Sequence, residues 1–553
     1  MSSLSRRISC AAGREKSDLV LKNAKIVDVF CQKIIESDVA VAEGRTVGLG
    51  DYQGRQEIDC SGKYVMPSFF DTHIHFESSM LTPNEYVRIA APKGVTTLNC
   101  DTHEIANVCG EEGIKYMIEC AKGLPVDINF MLPSCVPSTP FDHSNAVLDA
   151  KTLAELKLKY NFLGLAEMMN YVGVVNGDKD VGAKLELFDF CDGHSPRLSG
   201  KQLNAYLCGG IYTDHEAECV DEVLEKISKG MYIMIREGSQ TKTLKALINA
   251  VNPYTLRRLI FCTDDRYAGD ILLSGSISNC IHLAVDSGIA PIDAIKMASL
   301  NAYECYGIKN RGAVAPNFHA DLVVSEDITA QKISYVFKAG KMIAKEGKAL
   351  FDTNRNVDAS KVTNTVNIRP LKVSDLEMKF DENIPVIQVM PDTVVTNKVY
   401  KKSAEGLNMC ANIERHKATG NIGKCFVEGF GLAGGAIAQT IGHDSHNITV
   451  LGDNAADMVK AVEALGKGGG MSLVIKGEVK YVFPLAIAGL MSEFGAEKTD
   501  RMHGELLQAA KALNINPKIE PFMLLSFLSL IVIPEIKISD SGLFDVTTFS
   551  FIK

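Results

Sequence analysis

Between about residues 67 and 309 the chain repeats one pattern eight times: a short, continuously apolar run that stops abruptly at polar residues. The runs are SFFDTHIHF, VTTLNCDTHE, INFMLPSCVPS, FLGLAEMMN, LFDFCDGHSP, GGIYTDHE, YIMIREGS and LIFCTDDR. A half-exposed strand alternates apolar with polar residues; these do not, so they read as strands covered on both faces. Helix-like segments such as PNEYVRIAAPK and CVDEVLEKISK lie between several of them. Eight strand–helix units in about 250 residues predict a TIM (β/α)8 barrel, whose reactive groups sit at the C-terminal ends of its strands.

The flanks have a different character. Residues 18–65 hold short β-type runs (DLVLKNAKIVDV, SDVAVAEGRTVGLG, KYVMP), and residues 320–344 hold a second such set (ADLVVSEDI, KISYVFKAGKMIA). Two sets bracketing a barrel predict one small β-sandwich domain built from both flanks. With 553 residues the chain is too long for a single core. The expected class is α/β, with residues 1–66 and 310–355 forming the sandwich, 67–309 the barrel, and 356–553 an additional C-terminal α/β domain. That last part contains a Gly-rich block, ATGNIGKCFVEGFGLAGGAIAQTIGHDSHNITVLGDN. It lacks the spacing of a phosphate-binding P-loop, so its glycines read as turns and close packing. The apolar stretch PFMLLSFLSLIVIP is too short to cross a bilayer and reads as a buried core segment.

Charge and cysteine usage narrow the partners. A net charge of −9 favours neither nucleic acid nor a membrane surface, both of which select basic patches. The 15 cysteines are odd in number and form no C-x-x-C pair, which fits a reducing, cytoplasmic setting without disulfides or zinc knuckles. The N-terminal MSSLSRRISCAAGREK has no apolar stretch behind its basic residues and does not read as a secretory signal.

Chemistry is expected where the strands end. The first run ends in His73-Ile74-His75, and the period-two geometry of a strand turns both imidazoles to one side, where they can share a metal. Glu167 ends the fourth run, His194 the fifth, His215 the sixth and Asp264 the eighth. Singly, each has a plainer reading: a core histidine, a solvated carboxylate, or a helix N-cap, a role that Asp265 beside Asp264 can also fill. Together, four of the chain's 12 histidines and two carboxylates at the ends of the proper strands make a site for one or two divalent ions. His103, in DTHE at the end of the second run, is open between outer ligand, partner of a ligand and structural histidine. Arg236, Glu237 and Ser239 at the end of the seventh run, with Asn170 and Ser195, are weaker candidates for a substrate pocket. In IGHDSHN, His443, Asp444 and His446 form either a capped turn or a lid over the barrel mouth.

The stretch MPSFFDTHIHFESS, after a β-rich opening, resembles the first-strand signature of the amidohydrolase superfamily, with Ser68 in place of its usual glycine. DTHEIANVCG, GLAEMMNYVGVVNGD, DGHSPRLSGKQLNAY, GIYTDHE, IREGS and the ERHKATGNIGKCFVEGFGL–HDSHN–GDN block are similar to the adenine deaminase family. The similarity runs from about residue 18 to the end. It implies hydrolytic deamination of adenine by a hydroxide bridging two metal ions per chain, Mn²⁺ or Fe²⁺, with Zn²⁺ as an alternative. His73 and His75 would hold one ion, His194 and His215 the other, Glu167 would bridge them, and Asp264 would complete the first. Asp264 would also accept the nucleophile's proton and pass it to the leaving amine. Glu216 is a candidate donor to a ring nitrogen, although adjacent strand residues point to opposite faces, so it would need a bend at the strand end. A homo-oligomer with adenine as its small-molecule partner is expected. The rivals are a deaminase or cyclic amidase acting on another ring, and a non-catalytic relative. Glu167 where many relatives carry a carbamylated lysine counts against the cyclic amidases. His194 is followed by Ser195, Pro196 and Arg197, without the His-x-x-Glu of cytosine deaminases, and a non-catalytic relative would be expected to have lost ligands.

Overall fold

The computed structural model describes residues 2–353, 356–391 and 393–552. Eight strands arise from the eight apolar runs: β1 (Phe69–Ile74), β2 (Val95–Asp101), β3 (Asp127–Met131), β4 (Leu165–Met168), β5 (Cys191–Gly193), β6 (Thr213–Asp214), β7 (Tyr232–Arg236) and β8 (Leu259–Cys262). Hydrogen bonds join β1–β2–β3, β4–β5 and β6–β7–β8 in parallel. Single parallel bridges, Leu132 to Leu165 and Cys191 to Ile211, link these groups, and Ile74 to Asp264 closes the ring. The result is a closed barrel of the TIM type. Every residue of β1, β2, β4, β5, β6 and β8 is buried, which is why their sequences do not alternate. PNEYVRIAAPK and CVDEVLEKISK supply the helices Pro83–Ala90 and Val220–Ser228.

Both flanks contribute to one sheet of nine strands. Leu322–Ser325 from the later flank pairs antiparallel with Tyr64–Pro67 from the earlier one, in the register Leu322–Pro67 and Val323–Met66. The two flanks are therefore hydrogen-bonded to each other at the entry to β1. Their strands form one continuous hydrogen-bonded sheet.

Beyond it, an eight-stranded sheet spans residues 386–484. Its strand Gly435–Gln439 shows how both faces are used: Ala436 and Ala438 pack under the helix Ala455–Ala464, whereas Ile437 packs with Leu506, Phe522 and Leu525 on the other side. The segment 521–534 forms a helix, Pro521–Ser526, and a turn of 3₁₀ helix, Phe527–Ser529, and then runs on buried to Ile533. Met523, Phe527, Leu530, Val532 and Ile533 join the same apolar cluster as the barrel strands, so this segment is core to both halves of the chain. Among the described residues no single helix is long and apolar enough to cross a membrane.

The spacing of β5 and β6 depends on Gly193, just before His194. A Cβ there would lie 2.1 Å from the Thr213 carbonyl oxygen and 2.8 Å from the Ile211 side chain. Gly193→Ala must push the strands apart at a cost of about 1–3 kcal/mol or more. Its thermal midpoint should fall by several degrees; an unchanged melting curve would show that the strands have slack there.

Candidate metal centre and the cavity above it

The site is built at the barrel seam. Asp264 lies two residues beyond β8, and its amide donates to the His73 carbonyl at 2.9 Å while its carbonyl accepts from the His75 amide at 3.3 Å. The closing bridge thus places Asp264 beside the two histidines of β1. Its backbone has a positive φ of 54°, a conformation uncommon outside glycine and concentrated at functional sites.

Nε2 of His73 and Nε2 of His75 are 3.2 Å apart. Glu167 Oε1 is 3.4 Å from each, and Asp264 Oδ1 is 3.5 Å from His73 and 3.3 Å from His75. Ligands about 2.0–2.2 Å from a tetrahedral ion stand about 3.3–3.6 Å from one another, so these four donors have the spacing of a metal shell. The second oxygen of Glu167 turns the other way. Oε2 is 2.9 Å from His194 Nδ1 and 3.3 Å from His215 Nε2. One buried carboxylate therefore addresses both pairs of imidazoles, one oxygen to each. A mixed imidazole–carboxylate set of this kind suits Mn²⁺, Fe²⁺ or Zn²⁺.

Burial alone would push these carboxyls up. For Glu167 the surrounding imidazoles, His215 first, more than offset it and hold the group well below the usual range. For Asp264 the offset comes first from Arg236 and then from His75. Arg236 Nη1 is 2.6 Å from Asp264 Oδ2 and 2.5 Å from Glu216 Oε1, with Nη2 3.1 Å from Glu216 Oε2. Arg236 therefore ties two carboxylates together, and that is its place in the cavity. Burial raises Glu216 as well, but Arg236 brings it below its ordinary value. β6 ends at Asp214, so alternation does not extend to Glu216, and both His215 and Glu216 face the cavity.

The other sequence candidates are elsewhere. Asn170 caps the helix Tyr171–Asn176 by accepting from the Gly173 amide at 2.9 Å. Ser195 gives both its amide and its hydroxyl to Asp214 at 2.8 Å, and Lys226 holds the other oxygen of Asp214 at 2.9 Å. That network anchors the turn carrying His194. Ser239 donates to Asp270, and Glu237 offers its carbonyl to Arg266 at 2.8 Å. None of these four lines the cavity. Asp265 is not a helix cap: it accepts from Ser78, and the next helix starts at Ala268. It lines the cavity with a raised carboxyl, because of burial first and the Asp264 charge second.

The C-terminal half roofs the site. Val394, His443, Asp444, Phe527, Leu530 and Ile533 line the cavity opposite the barrel ends, leaving about 30 Å³, room for about one or two waters. The ring of His443 stacks on Phe527 at 4.5 Å, and its Nδ1 is 2.5 Å from Glu104 Oε1. Sequence reasoning missed Glu104 and the apolar roof, because an apolar segment that covers a site has the same composition as one that fills a core.

Under the roof Lys537 is fully buried, donating to the carbonyls of Val394 at 2.7 Å and Phe527 at 3.1 Å. Burial brings its pKa down to about 7. The unfolded chain keeps an ordinary lysine near about 10.4, so from about pH 7 to 10 it binds the extra proton and stability rises with pH. Lys537→Met should remove that slope, at most about 1.4 kcal/mol per pH unit. Denaturation of both proteins at pH 7 and pH 9 checks this; parallel pH profiles would mean that Lys537 keeps its proton when folded.

Comparison with known proteins agrees with this layout. The amidohydrolase family profile matches residues 64–343, and that of the adenine deaminase C-terminal domain matches residues 387–550. A Clostridium acetobutylicum protein named adenine deaminase is 46% identical, over 99% of this chain and 100% of its own. Proteins of the same name from Nitratidesulfovibrio vulgaris Hildenborough and Halalkalibacterium halodurans are 44% and 40% identical, covering 98% and 99% of this chain and 97% and 98% of theirs.

Proposed function

The chain belongs to the adenine deaminase family of amidohydrolases, and from that premise we propose that its roofed cavity hydrolyses adenine to hypoxanthine and ammonia. The observation that carries the site assignment is the division of Glu167, one oxygen toward His73 and His75 and the other toward His194 and His215. In this reading His73, His75 and Asp264 would hold one divalent ion, His194 and His215 would hold a second, and Glu167 would serve both. Mn²⁺ or Fe²⁺ is favoured, and Zn²⁺ has the same donor preferences. The division into a flank domain (1–66 with 310–355), a barrel (67–309) and a C-terminal domain (356–553) belongs to the same reading. It is supported by the shared sheet and by the two family matches.

When bound, the ions lower the pKa of a water from about 15.7 towards roughly 7, which makes a nucleophile available at neutral pH. The residues supply the rest. Asp264, ionised beside Arg236, accepts the proton released as water adds to C6 of the purine and returns it to the departing amine. Glu216 is ionised by the same Arg236, so it enters the cycle as an acceptor; to serve a ring nitrogen it must first receive a proton. The apolar roof excludes bulk water and strengthens the field of these groups on the reacting carbon. A cavity of about 30 Å³ is smaller than a purine, so part of its lining must move to admit substrate.

Two outcomes test this reading. Removing metal with a chelator should abolish ammonia release from adenine, with Mn²⁺ or Fe²⁺ restoring it. Glu167→Gln should lose most of both bound metal and activity, because a neutral amide bridges two cations poorly. Full metal content in that variant would remove Glu167 from the bridge.

Asp264→Asn should lower turnover by more than the roughly 10²–10⁴-fold of a lost proton transfer, since the residue also serves as a ligand. Ammonia assays across purines and pyrimidines, with adenosine included, provide the readout. Adenine should be the substrate and adenosine should not; equal rates on the two would overturn the assignment to the free base, and near-normal Asp264→Asn turnover would remove that residue from the chemistry.

A further inference from the structure

β2 ends at Asp101, and the chain enters the helix His103–Ala121. Asp101 Oδ2 lies 3.0 Å from His103 Nδ1, out of line for a straight hydrogen bond but close enough to favour the proton on that nitrogen. The opposite nitrogen, Nε2, then presents a lone pair. It faces two carboxylate oxygens, Glu104 Oε1 and Asp444 Oδ1, each 3.7 Å away. That is too long for a hydrogen bond, and three electron-rich atoms meeting out of water repel one another unless a cation or protons stand between them. His103, Glu104 and Asp444 are 1–3% exposed, and Asp444 Oδ2 has no hydrogen-bond partner among the described residues.

The donors are also held from behind. Asp101 backs His103. Glu104 is backed by His443 at Oε1 and by His446 at Oε2. His446 Nδ1 accepts from the Gly442 amide at 3.2 Å, which puts its proton on the nitrogen facing Glu104. Carboxylates behind imidazoles, and hydrogen-bond donors behind carboxylates, are how proteins orient metal ligands.

We propose that His103, Glu104 and Asp444 form a third divalent-cation site, distinct from the pair around Glu167 and shared between the barrel end and the C-terminal segment. One imidazole nitrogen and two carboxylate oxygens select an ion of the Mn²⁺ or Zn²⁺ kind. All three residues line the cavity, so the ion keeps an open position for water or for a lone pair of a bound heterocycle. The cluster meets His103 at Nε2, whereas Glu167 Oε1 is 3.7 Å from the other ring nitrogen, Nδ1. Because Asp444 comes from the C-terminal half, the ion fastens the roof to the barrel.

The site shares no ligand with the binuclear set, so the two readings fail separately. Full-length protein saturated with Mn²⁺ and freed of excess by gel filtration should carry three ions per chain by plasma mass spectrometry. Asp444→Asn and His103→Gln should each carry two. Glu167→Gln should keep the third ion while losing those it bridges. Wild-type protein should also gain thermal stability on passing from two to three equivalents of Mn²⁺, and Asp444→Asn should not. Circular dichroism shows whether the variants fold, and if one does not, the other and the wild-type count still decide. Saturation of the wild type at two ions, or three ions retained in both folded variants, overturns the proposal.

Discussion

The closing bridge of the barrel, where the backbone of Asp264 pairs with His73 and His75, is the contact on which the site rests. Barrel closure also gathers the first donor cluster: unless β8 reaches β1, Asp264 stays away from the imidazoles. The pairing fixes the backbones of these three residues relative to one another, and their side-chain rotamers then set the donor spacing. Glu167 then needs to reach only from β4 to span both imidazole pairs. The positive φ of Asp264 is strain that the surrounding barrel holds in place.

Concentrating carboxylates at one buried mouth creates a charge problem, and the fold answers it locally. Arg236 lies between Asp264 and Glu216, Lys226 holds Asp214 beneath the His194 turn, and His443 flanks Glu104, to which the neutral ring of His446 donates from the other side. Each cation sits within a hydrogen bond of what it neutralises, as burial in low dielectric requires. Where compensation is weaker, the carboxyls rise: Glu77 reaches about 7, through burial first and the nearby Glu104 charge second. The C-terminal half completes the enclosure with an apolar face, and Lys537 joins two carbonyls of that face from behind.

How much of this was legible in the sequence follows the range of the contacts. The eight barrel strands were readable because burial on both faces leaves a local mark, an unbroken apolar run. The convergence of His73, His75, Glu167, His194, His215 and Asp264 was readable because strand ends in a barrel meet at one mouth. Arg236 was found as a residue of the mouth, and it does line the cavity, but nothing local says that its guanidinium turns toward Glu216 and Asp264. Asn170, Ser195, Glu237 and Ser239 were placed in a pocket by strand-end logic, yet they serve caps, turns and backbone contacts. A strand end puts a residue near the mouth; the loop conformation decides where it faces.

By itself the sequence determined the barrel, the strand ends and the chemical identity of the donors there. These follow from periodicity and residue type within a few positions. Only the tertiary structure decided that the segment 521–534 would roof the cavity as well as fill a core. Only it decided that Glu104 would meet His443, 339 residues away. Such contacts leave no local trace: an apolar residue buries equally well against any apolar surface, and a carboxylate accepts from any donor that the fold delivers. The choice among partners is made by the packing of whole elements, where the surface buried by sheets and helices outweighs the preference of any single side chain.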